Sequence, residues 1–150
     1  MKIGIGNDHT AVEYKNLISD YIKDKYGYEV INYGTDLNES CDYPIYGEKV
    51  ARAVANKEVD KGIVICGTGV GISLSANKVK GIRCVVCSES FSAKLSRKHN
   101  DTNMLAFGAR VIGVGTACEL VDVFLNTEFE GDRHIRRVEM LDKIIDDNKW

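Results

Sequence analysis

The chain contains the segment Gly62-Ile63-Val64-Ile65-Cys66-Gly67-Thr68-Gly69-Val70-Gly71, an apolar run that ends in a thiol and turns through alternating glycines. The run shows no polar alternation and is rich in β-branched residues, which is typical of a strand buried on both faces of a parallel sheet. A helical pattern from Gly71 to Lys78 follows immediately. The segment therefore predicts the strand, loop and helix of an α/β unit.

The same alternation of strand and helix runs through the whole chain. The predicted strands are Lys2 to Gly6, Glu29 to Tyr33, Gly62 to Cys66, Ile82 to Cys87 and Met104 to Phe107. The predicted helices are Val12 to Lys25, Tyr46 to Asn56, Gly71 to Lys78, Ser90 to His99, Gly115 to Leu125 and His134 to Asp147. These units predict a single domain over residues 1–150, with a three-layer Rossmann-like α/β fold in which helices cover both faces of a five-stranded parallel sheet.

The composition fits one globular domain with a full core. The chain has 150 residues, of which 44% are hydrophobic and 28% are charged. Its 20 basic and 22 acidic side chains give a net charge of −2 without a long block of either sign, so the surface does not attract a polyanion such as nucleic acid. No apolar run is long enough to cross a membrane, and the N-terminus lacks the pattern of a signal peptide. We therefore expect a cytoplasmic protein that acts on neither nucleic acid nor membrane.

The five cysteines are an odd number, scattered through a domain that is large enough not to need disulfides. We expect reduced thiols. Cys84 and Cys87 have the spacing of a metal-binding or redox pair, but they lie in a predicted strand, where residues three apart point to opposite faces of the sheet. We interpret them as two core cysteines.

The loop after Cys66 is the most distinctive local feature. Its glycines allow turns in which successive backbone N–H groups converge, and the following helix places its positive end nearby. Such a loop can stabilise an anionic oxygen, and the same field favours the thiolate form of Cys66. A structural turn beside a core thiol would carry the same pattern. The glycine spacing differs from Gly-x-Gly-x-x-Gly, and no Gly-Lys-Ser/Thr follows, so neither nucleotide-binding motif is present.

Other polar residues lie where predicted strands end. Asp8 and His9 follow the first strand, so we expect them at the same sheet edge as Cys66. A histidine in this place can bind phosphate or cap a helix, and an aspartate can serve only the turn. Arg110, after a Gly-Ala turn, is equally ambiguous.

Two further polar groups are associated with predicted helices. His99 to Asn103 forms a cluster after one helix, where a helix cap is the simpler interpretation. Arg133 and Arg137 share one face of the last helix, where they could clamp a phosphate or lie in solvent.

Seven short segments have a specific order and spacing along the chain, although each is a weak signal alone. The segments are Gly6-Asn7-Asp8-His9, Ser40-Cys41-Asp42-Tyr43-Pro44, Cys66-Gly67-Thr68-Gly69-Val70-Gly71, Ala76-Asn77-Lys78, His99-Asn100-Asp101-Thr102-Asn103, Phe107-Gly108-Ala109-Arg110, and Arg133-His134 with Arg137. In this arrangement, which spans nearly the whole chain, they resemble the type B ribose-5-phosphate isomerase family. The related galactose- and allose-6-phosphate isomerases share the architecture.

The resemblance implies an aldose–ketose isomerase that acts on a sugar phosphate without a metal or other cofactor. Cys66 would be the base that moves a proton between C1 and C2, with Thr68 beside it, and His99 would be the acid that opens the furanose ring. The remaining roles implied are an enediolate site at the amides of Gly67, Thr68, Gly69, Val70 and Gly71, hydroxyl contacts from Asp8, Tyr43 and Asn100, and a phosphate site of His9, Arg110, Arg133 and Arg137.

The resemblance is to the branch of the family that uses a thiol. Another branch lacks the cysteine and has a carboxylate just after the last glycine, where this chain has Ile72. Cys41 departs from the β-branched residue expected before Asp-Tyr-Pro, which concerns only the shape of that loop.

The resemblance also implies a homodimer, or a dimer of such dimers, with shared active sites. Cys66 ends a strand, whereas His99 ends a helix that runs back along the sheet, so the two should lie at opposite edges. If both act on one small substrate, a second subunit must supply His99.

Other functions remain open at this point. The substrate could be ribose 5-phosphate or a six-carbon allose or galactose phosphate, because that choice depends on the depth of the pocket. A phosphate- or nucleotide-binding module without catalysis would also use the glycine loop and the arginines, but it has no need of Cys66. A thiol redox protein is weaker, because Cys66 has no second cysteine at Cys-x-x-Cys spacing. A metal-dependent isomerase would need ligands that three histidines without an associated carboxylate cluster do not offer.

Overall fold

The computed structural model describes residues 1–147 of the chain, and side-chain environments up to residue 144. Its strands form one parallel sheet in the order β2-β1-β3-β5-β4. The strands are β1 (Lys2–Asn7), β2 (Glu29–Asn32), β3 (Lys61–Cys66), β4 (Cys84–Val86) and β5 (Met104–Gly108). The predicted five-stranded parallel sheet is confirmed.

Six α-helices connect or cover the strands within residues 1–147. They are α1 (Val12–Tyr26), α2 (Tyr43–Ala55), α3 (Val70–Ala76), α4 (Ser90–Asn100), α5 (Val114–Asn126) and α6 (Arg133–Asp147). A short 3-10 turn, His9–Ala11, precedes α1. α1 ends at Gly27, which has φ 65° and donates its N–H to the carbonyl of Lys23. None of the helices described has the length and apolar content that crossing a membrane would require.

The sheet has a separate apolar core on each face. One core contains Ile18 of α1, Ala93 of α4 and Phe124 of α5. The other contains Val50 of α2 and Ile72 of α3. The central strand β3 serves both cores, because Ile63 and Ile65 face the first while Val64 and Cys66 face the second. The fold is therefore a helix–sheet–helix sandwich, as predicted.

Cys84 and Cys87 lie on opposite faces of the sheet. Cys87 belongs to the core under α1, α4 and α5, whereas Cys84 packs against the core under α2 and α3. Burial raises the pKa of Cys87 to about 11, and it also raises the pKa of Cys84. Every cysteine of the chain lies in the described part and is unpaired. The interpretation of these two residues as core thiols is confirmed.

The strand register separates two edges of the sheet. Asn7 pairs with Ile65 and Cys66 pairs with Gly108, so the loops after β1, β3 and β5 meet at the carboxyl edge. At the amino edge, the N–H of Gly62 donates to the carbonyl of Asn103, just before β5 begins. The four residue steps from Gly62 to Cys66 span about 13 Å at about 3.3 Å per residue. Helix α4 ends beside Asn103, and α6 packs against α4.

Candidate active site

Cys66 is held at the carboxyl edge by the loop that follows it. The thiol is 5% exposed, and its Sγ accepts a hydrogen bond of 3.1 Å from the N–H of Gly69. An N–H donor stabilises a thiolate more than a neutral thiol. The donor residue, Gly69, is also the N-cap of α3, a helix of only seven residues.

The glycine loop is shaped by two close approaches. Gly69 has φ +80°, and a Cβ built on it would lie 2.7 Å from the carbonyl carbon of Phe107. A Cβ on Gly71 would lie 2.8 Å from Cζ of Tyr43, so the tyrosine ring packs directly against the loop. Side chains at these two positions would displace the loop or the ring. The glycine at position 71 therefore lets the Tyr43 ring pack on the loop that follows Cys66.

Thr68 and Val70 occupy the exposed side of this loop. The N–H of Val70 donates to Oγ1 of Thr68 over 3.3 Å, so the hydroxyl proton of Thr68 is left to donate to another group. Both side chains are exposed and line an open groove of about 300 Å³ that also contacts Val86 and Val111. The groove lies directly beside the thiol loop.

Asp8 and His9 begin the turn after β1, as predicted. Asp8 is almost buried, and its Oδ1 accepts hydrogen bonds from both the N–H and the hydroxyl of Thr10. His9 accepts a hydrogen bond of 3.3 Å at Nδ1 from the N–H of Cys41. An imidazole that accepts at Nδ1 carries its proton on Nε2 when neutral, so His9 keeps one donor for a ligand. The contact from Cys41 was not anticipated from the sequence.

Arg110 joins the same edge through its backbone and its side chain. Its N–H donates to the carbonyl of Gly67, and the preceding N–H of Ala109 donates to the carbonyl of Cys66. The side-chain atoms Cδ and Nη1 lie 3.6 and 3.7 Å from where a Cβ of Gly67 would stand. A guanidinium is thus available at the mouth of the glycine loop.

The second group of predicted residues lies at the amino edge instead. His99 and Asn100 end α4, and Arg133 and Arg137 are exposed on α6. The backbone carbonyl of Asn100 accepts from Nε of Arg83, which leaves the amide side chain of Asn100 outside this contact. The left-handed cap of α4 is Asp101, with φ 45°, and not His99 or Asn100. The cluster from His99 to Asn103 therefore contains the helix cap, as the simpler interpretation expected, but the cap is Asp101, and His99 and Asn100 are the last residues of the helix.

His99 has close neighbours that sequence spacing did not indicate. Its ring stacks on that of His134 with 4.3 Å between centroids, and its Nε2 lies 3.7 Å from Oε2 of Glu130. Burial lowers the pKa of His134, and the positive charges of His99, Arg133 and Arg137 lower it further. Glu130 gave no sequence signal, because it lies in a loop about 30 residues after His99. His134 lay inside a recognised segment, but nothing local predicted its contact with His99.

The structure thus places the predicted residues in two groups. Cys66 and its loop share the carboxyl edge with Asp8, His9, Tyr43 and Arg110, whereas His99, Asn100, Arg133 and Arg137 share the amino edge. Within one chain the second group lies at the opposite edge of the sheet from the thiol.

Comparison with known proteins agrees with this architecture. A family model described as Ribose/Galactose Isomerase matches residues 3–141. The ribose-5-phosphate isomerase B of Escherichia coli strain K12 is 54% identical over 143 residues, which are 95% of this chain and 95% of that protein. The chain belongs to the ribose/galactose isomerase family.

Solved structures extend this result to three dimensions. The ribose-5-phosphate isomerase B of Clostridium thermocellum is 55% identical, with a TM-score of 0.94 over 96% of this chain and 97% of that one. The enzyme of the same description from Mycoplasma genitalium, with bound ribulose-5-phosphate, is 36% identical, with a TM-score of 0.92 over 98% and 97% of the two chains. The ribose/galactose isomerase match runs from β1 into α6, so both groups of candidate residues lie inside it.

Proposed function

We propose that the chain is an aldose–ketose isomerase that interconverts ribose 5-phosphate and ribulose 5-phosphate without a metal cofactor. The observation that carries this proposal is the Cys66 thiol, supported by the Gly69 amide, at a sheet edge that also carries Asp8, His9 and Arg110. The named function of the Escherichia coli relative and the ribulose-5-phosphate bound to the Mycoplasma genitalium relative support the choice of substrate.

The first step is the opening of the furanose ring. His99 donates a proton to the ring oxygen as the bond between C1 and the ring oxygen breaks, and a water molecule accepts the proton of the anomeric hydroxyl as the aldehyde forms. His99 is partly exposed, with its Nε2 facing the carboxylate of Glu130. The imidazole is therefore accessible to a sugar that reaches the amino edge.

The second step moves one proton between carbons. The Cys66 thiolate takes the proton from C2 of the open aldose, and the electrons form an enediolate with its negative charge on the oxygen of C1. The thiol then returns the proton to C1, while the C2 hydroxyl loses its proton to give the ketone and the C1 oxygen gains one. Backbone amides of the Gly67–Gly71 loop, with the Thr68 hydroxyl beside them, stabilise the enediolate oxygen. Asp8, Tyr43 and Asn100 contact the remaining hydroxyl groups.

The phosphate is bound by side chains from both edges. His9 donates through Nε2, and Arg110 contributes its guanidinium at the mouth of the loop. Arg133 and Arg137, one helical turn apart on α6, complete the site. Several cationic donors around one phosphate give strong charge-assisted hydrogen bonds.

Because these groups lie at opposite edges of one chain, we propose a two-fold homodimer in which each subunit supplies His99, Asn100, Arg133 and Arg137 to the other. The length of β3 supports this arrangement, since about 13 Å separates Gly62, near one edge of the sheet, from Cys66 at the other. Exposed apolar side chains beside both groups also support it, because a dimer interface would bury them. They are Val70 and Val111 beside the thiol loop, Leu74 on α3, Phe91 at the start of α4, and Ile135, Met140, Leu141 and Ile144 on α6.

The five unpaired cysteines are consistent with a reducing compartment. We therefore include a cytoplasmic location in the proposal.

A coupled assay that compares ribose 5-phosphate with allose 6-phosphate and galactose 6-phosphate tests the function. We expect the highest kcat/KM with ribose 5-phosphate, and activity that persists after treatment with a chelator. A higher kcat/KM with a six-carbon sugar phosphate would identify that sugar phosphate as the substrate instead. Binding of these phosphates without turnover would indicate a binding module instead.

A further inference from the structure

Three potential metal ligands converge at the amino edge. They are His99 at the end of α4, His134 in the first turn of α6, and Glu130 in the loop between α5 and α6. One ligand atom from each lies within 4.8 Å of the other two. The residues are separated by 31 and 35 positions from His99, so tertiary packing alone brings them together.

One ring nitrogen of His134 lacks a hydrogen-bond partner. His134 is 7% exposed, and its Nε2 is buried without a hydrogen-bond partner among the described residues. A buried polar atom without a partner costs free energy, and binding of a ligand at that atom would remove the cost.

Two hydrogen bonds to Lys98 hold Glu130 in place. The N–H of Glu130 donates to the carbonyl of Lys98, and Nζ of Lys98 donates to Oε1 of the same glutamate. This arrangement leaves Oε2 of Glu130 on the side of His99, at 3.7 Å from its Nε2. The N–H of His134 donates to the carbonyl of Gly131, which fixes the start of α6 against the loop.

Two imidazoles and one carboxylate are a ligand set that suits Zn²⁺ and similar transition metals. Ligand atoms around tetrahedral Zn²⁺ lie about 3.3 Å apart, given bonds of about 2.0 Å. His99 and Glu130 are exposed enough to move toward His134 by the distance needed. The charges of Lys98, Arg133 and Arg137 oppose a cation here, and the Glu130 carboxylate offsets part of that repulsion.

We propose that His99, Glu130 and His134 bind a transition metal ion of the Zn²⁺ class, and that the bound ion inhibits the enzyme by occupying His99. The ion is an inhibitor and takes no part in the isomerisation. Metal binding follows from the cluster itself, whereas the inhibitory effect rests on the role proposed for His99 in ring opening.

Titration with Co²⁺ tests the binding, because a low-symmetry nitrogen and oxygen site gives visible d–d absorption. The titration is made in the Cys66→Ala background, which removes the active-site thiol. We expect an absorption band without the thiolate-to-cobalt charge transfer that a cysteine ligand would add. Zn²⁺ should displace the Co²⁺ and abolish the band, and Mg²⁺ should not.

Variants identify the ligands. Glu130→Gln and His134→Asn should each weaken Co²⁺ binding by at least about tenfold. Glu128→Gln, which removes the same charge from an exposed position in the same loop, should bind Co²⁺ like the parent. If circular dichroism shows that His134→Asn does not fold, Co²⁺ binding to Glu130→Gln, which changes an exposed residue, tests the site alone. Absence of a band, or a band that persists in Glu130→Gln, would overturn the metal site.

Activity measurements test the inhibition separately. Zn²⁺ should inhibit the parent enzyme, in which Cys66 is intact, and its Glu128→Gln variant. A chelator should reverse the inhibition. Inhibition of Glu130→Gln, relative to its own metal-free rate, should need at least about tenfold more Zn²⁺. Co²⁺ binding without inhibition would overturn the inhibitory role. A chain without isomerase activity in metal-free buffer would contradict the proposed function, while the absorption titration would still decide whether the metal site exists.

Discussion

The N–H of Gly69 donates a hydrogen bond of 3.1 Å to Sγ of Cys66, three residues earlier in the chain. The contact depends on the backbone of Gly69, which has φ +80° and packs against the backbone of Phe107. A residue with a side chain would be strained at this φ and would also collide with Phe107. The glycine therefore couples the shape of the loop to the electrostatic environment of the thiol.

Gly69→Ala should disturb both properties. We expect the free energy of unfolding to fall by about 1–2 kcal/mol or more, because alanine is unfavourable at positive φ and the new methyl group has no space. We also expect kcat to fall by about tenfold or more, since the amide would no longer support the thiolate. Urea unfolding and steady-state kinetics measure the two effects.

Gly115→Ala is the matched control for that variant. A Cβ at Gly115, in the first turn of α5, would have no atom within 4 Å. Its stability should be unchanged or slightly raised, and its kcat should match the parent. Equal losses in the two variants would show that the effect of Gly69→Ala is not local to the thiol loop.

Cys66→Ala should nearly abolish isomerisation but leave substrate binding largely intact. A base acts in the transition state, so its removal should lower kcat by about 10²-fold or more. Calorimetric titration with ribose 5-phosphate measures the binding that remains. Cys118→Ala, which removes a partly buried thiol from α5, serves as the control. Activity of Cys66→Ala within a few-fold of the parent would reject Cys66 as the base.

Mixed subunits test the shared site. Chains carrying Cys66→Ala or His99→Asn should each be inactive, because each active site then lacks one of its two groups. Unfolding equal amounts together and refolding them should give half heterodimers, each with one intact site of two. We expect about a quarter of the parental activity from this mixture. If heterodimers are present but activity does not exceed that of the separate variants, the site is not shared.

Arg137→Ala should raise KM for the phosphorylated sugar. Loss of one charge-assisted contact to phosphate should weaken binding by about tenfold or more, with a smaller change in kcat. Arg136→Ala removes the same charge from the neighbouring exposed position and is the control. Equal KM values for the two variants would place Arg137 among the solvated residues of α6.

Lys61→Met should stabilise the protein at neutral pH. Burial, together with the nearby charge of Arg97, lowers the pKa of Lys61 from 10.5 to about 8. Below pH 8 the ammonium is charged in both the folded and unfolded states, so the full cost of burying it is present. Between pH 8 and 10.5 the folded state has lost a proton that the unfolded state retains, so this cost disappears as pH rises.

We expect the Met variant to be more stable by about 1–2 kcal/mol at pH 7, because Lys61 retains partial contact with solvent. The difference should be several-fold smaller near pH 10 than at pH 7. Urea unfolding of both proteins at each pH and one protein concentration measures it. A difference that is the same at both pH values would contradict the shifted pKa.

Much of the fold could be predicted because its signals are local. The β-branched run that ends at Cys66 is buried on both faces in any parallel sheet, and Gly27 ends α1 because glycine adopts positive φ without strain. The opposite orientations of Cys84 and Cys87 follow from the two-residue period of a strand. Predicted strand and helix ends differ from the observed ones by a few residues, since hydrogen bonding at the ends depends on neighbouring elements.

The sequence by itself determined the layered α/β fold and the glycine loop beside Cys66, because backbone preferences and apolar periodicity act over a few residues. Only the tertiary structure decided which side chains meet. Tyr43 packs on Gly71, and His99 meets Glu130 and His134, because α2 packs beside α3 and α6 beside α4. Contacts between residues about 30 positions apart depend on how whole helices and strands pack, and no local sequence pattern predicts which of these residues meet.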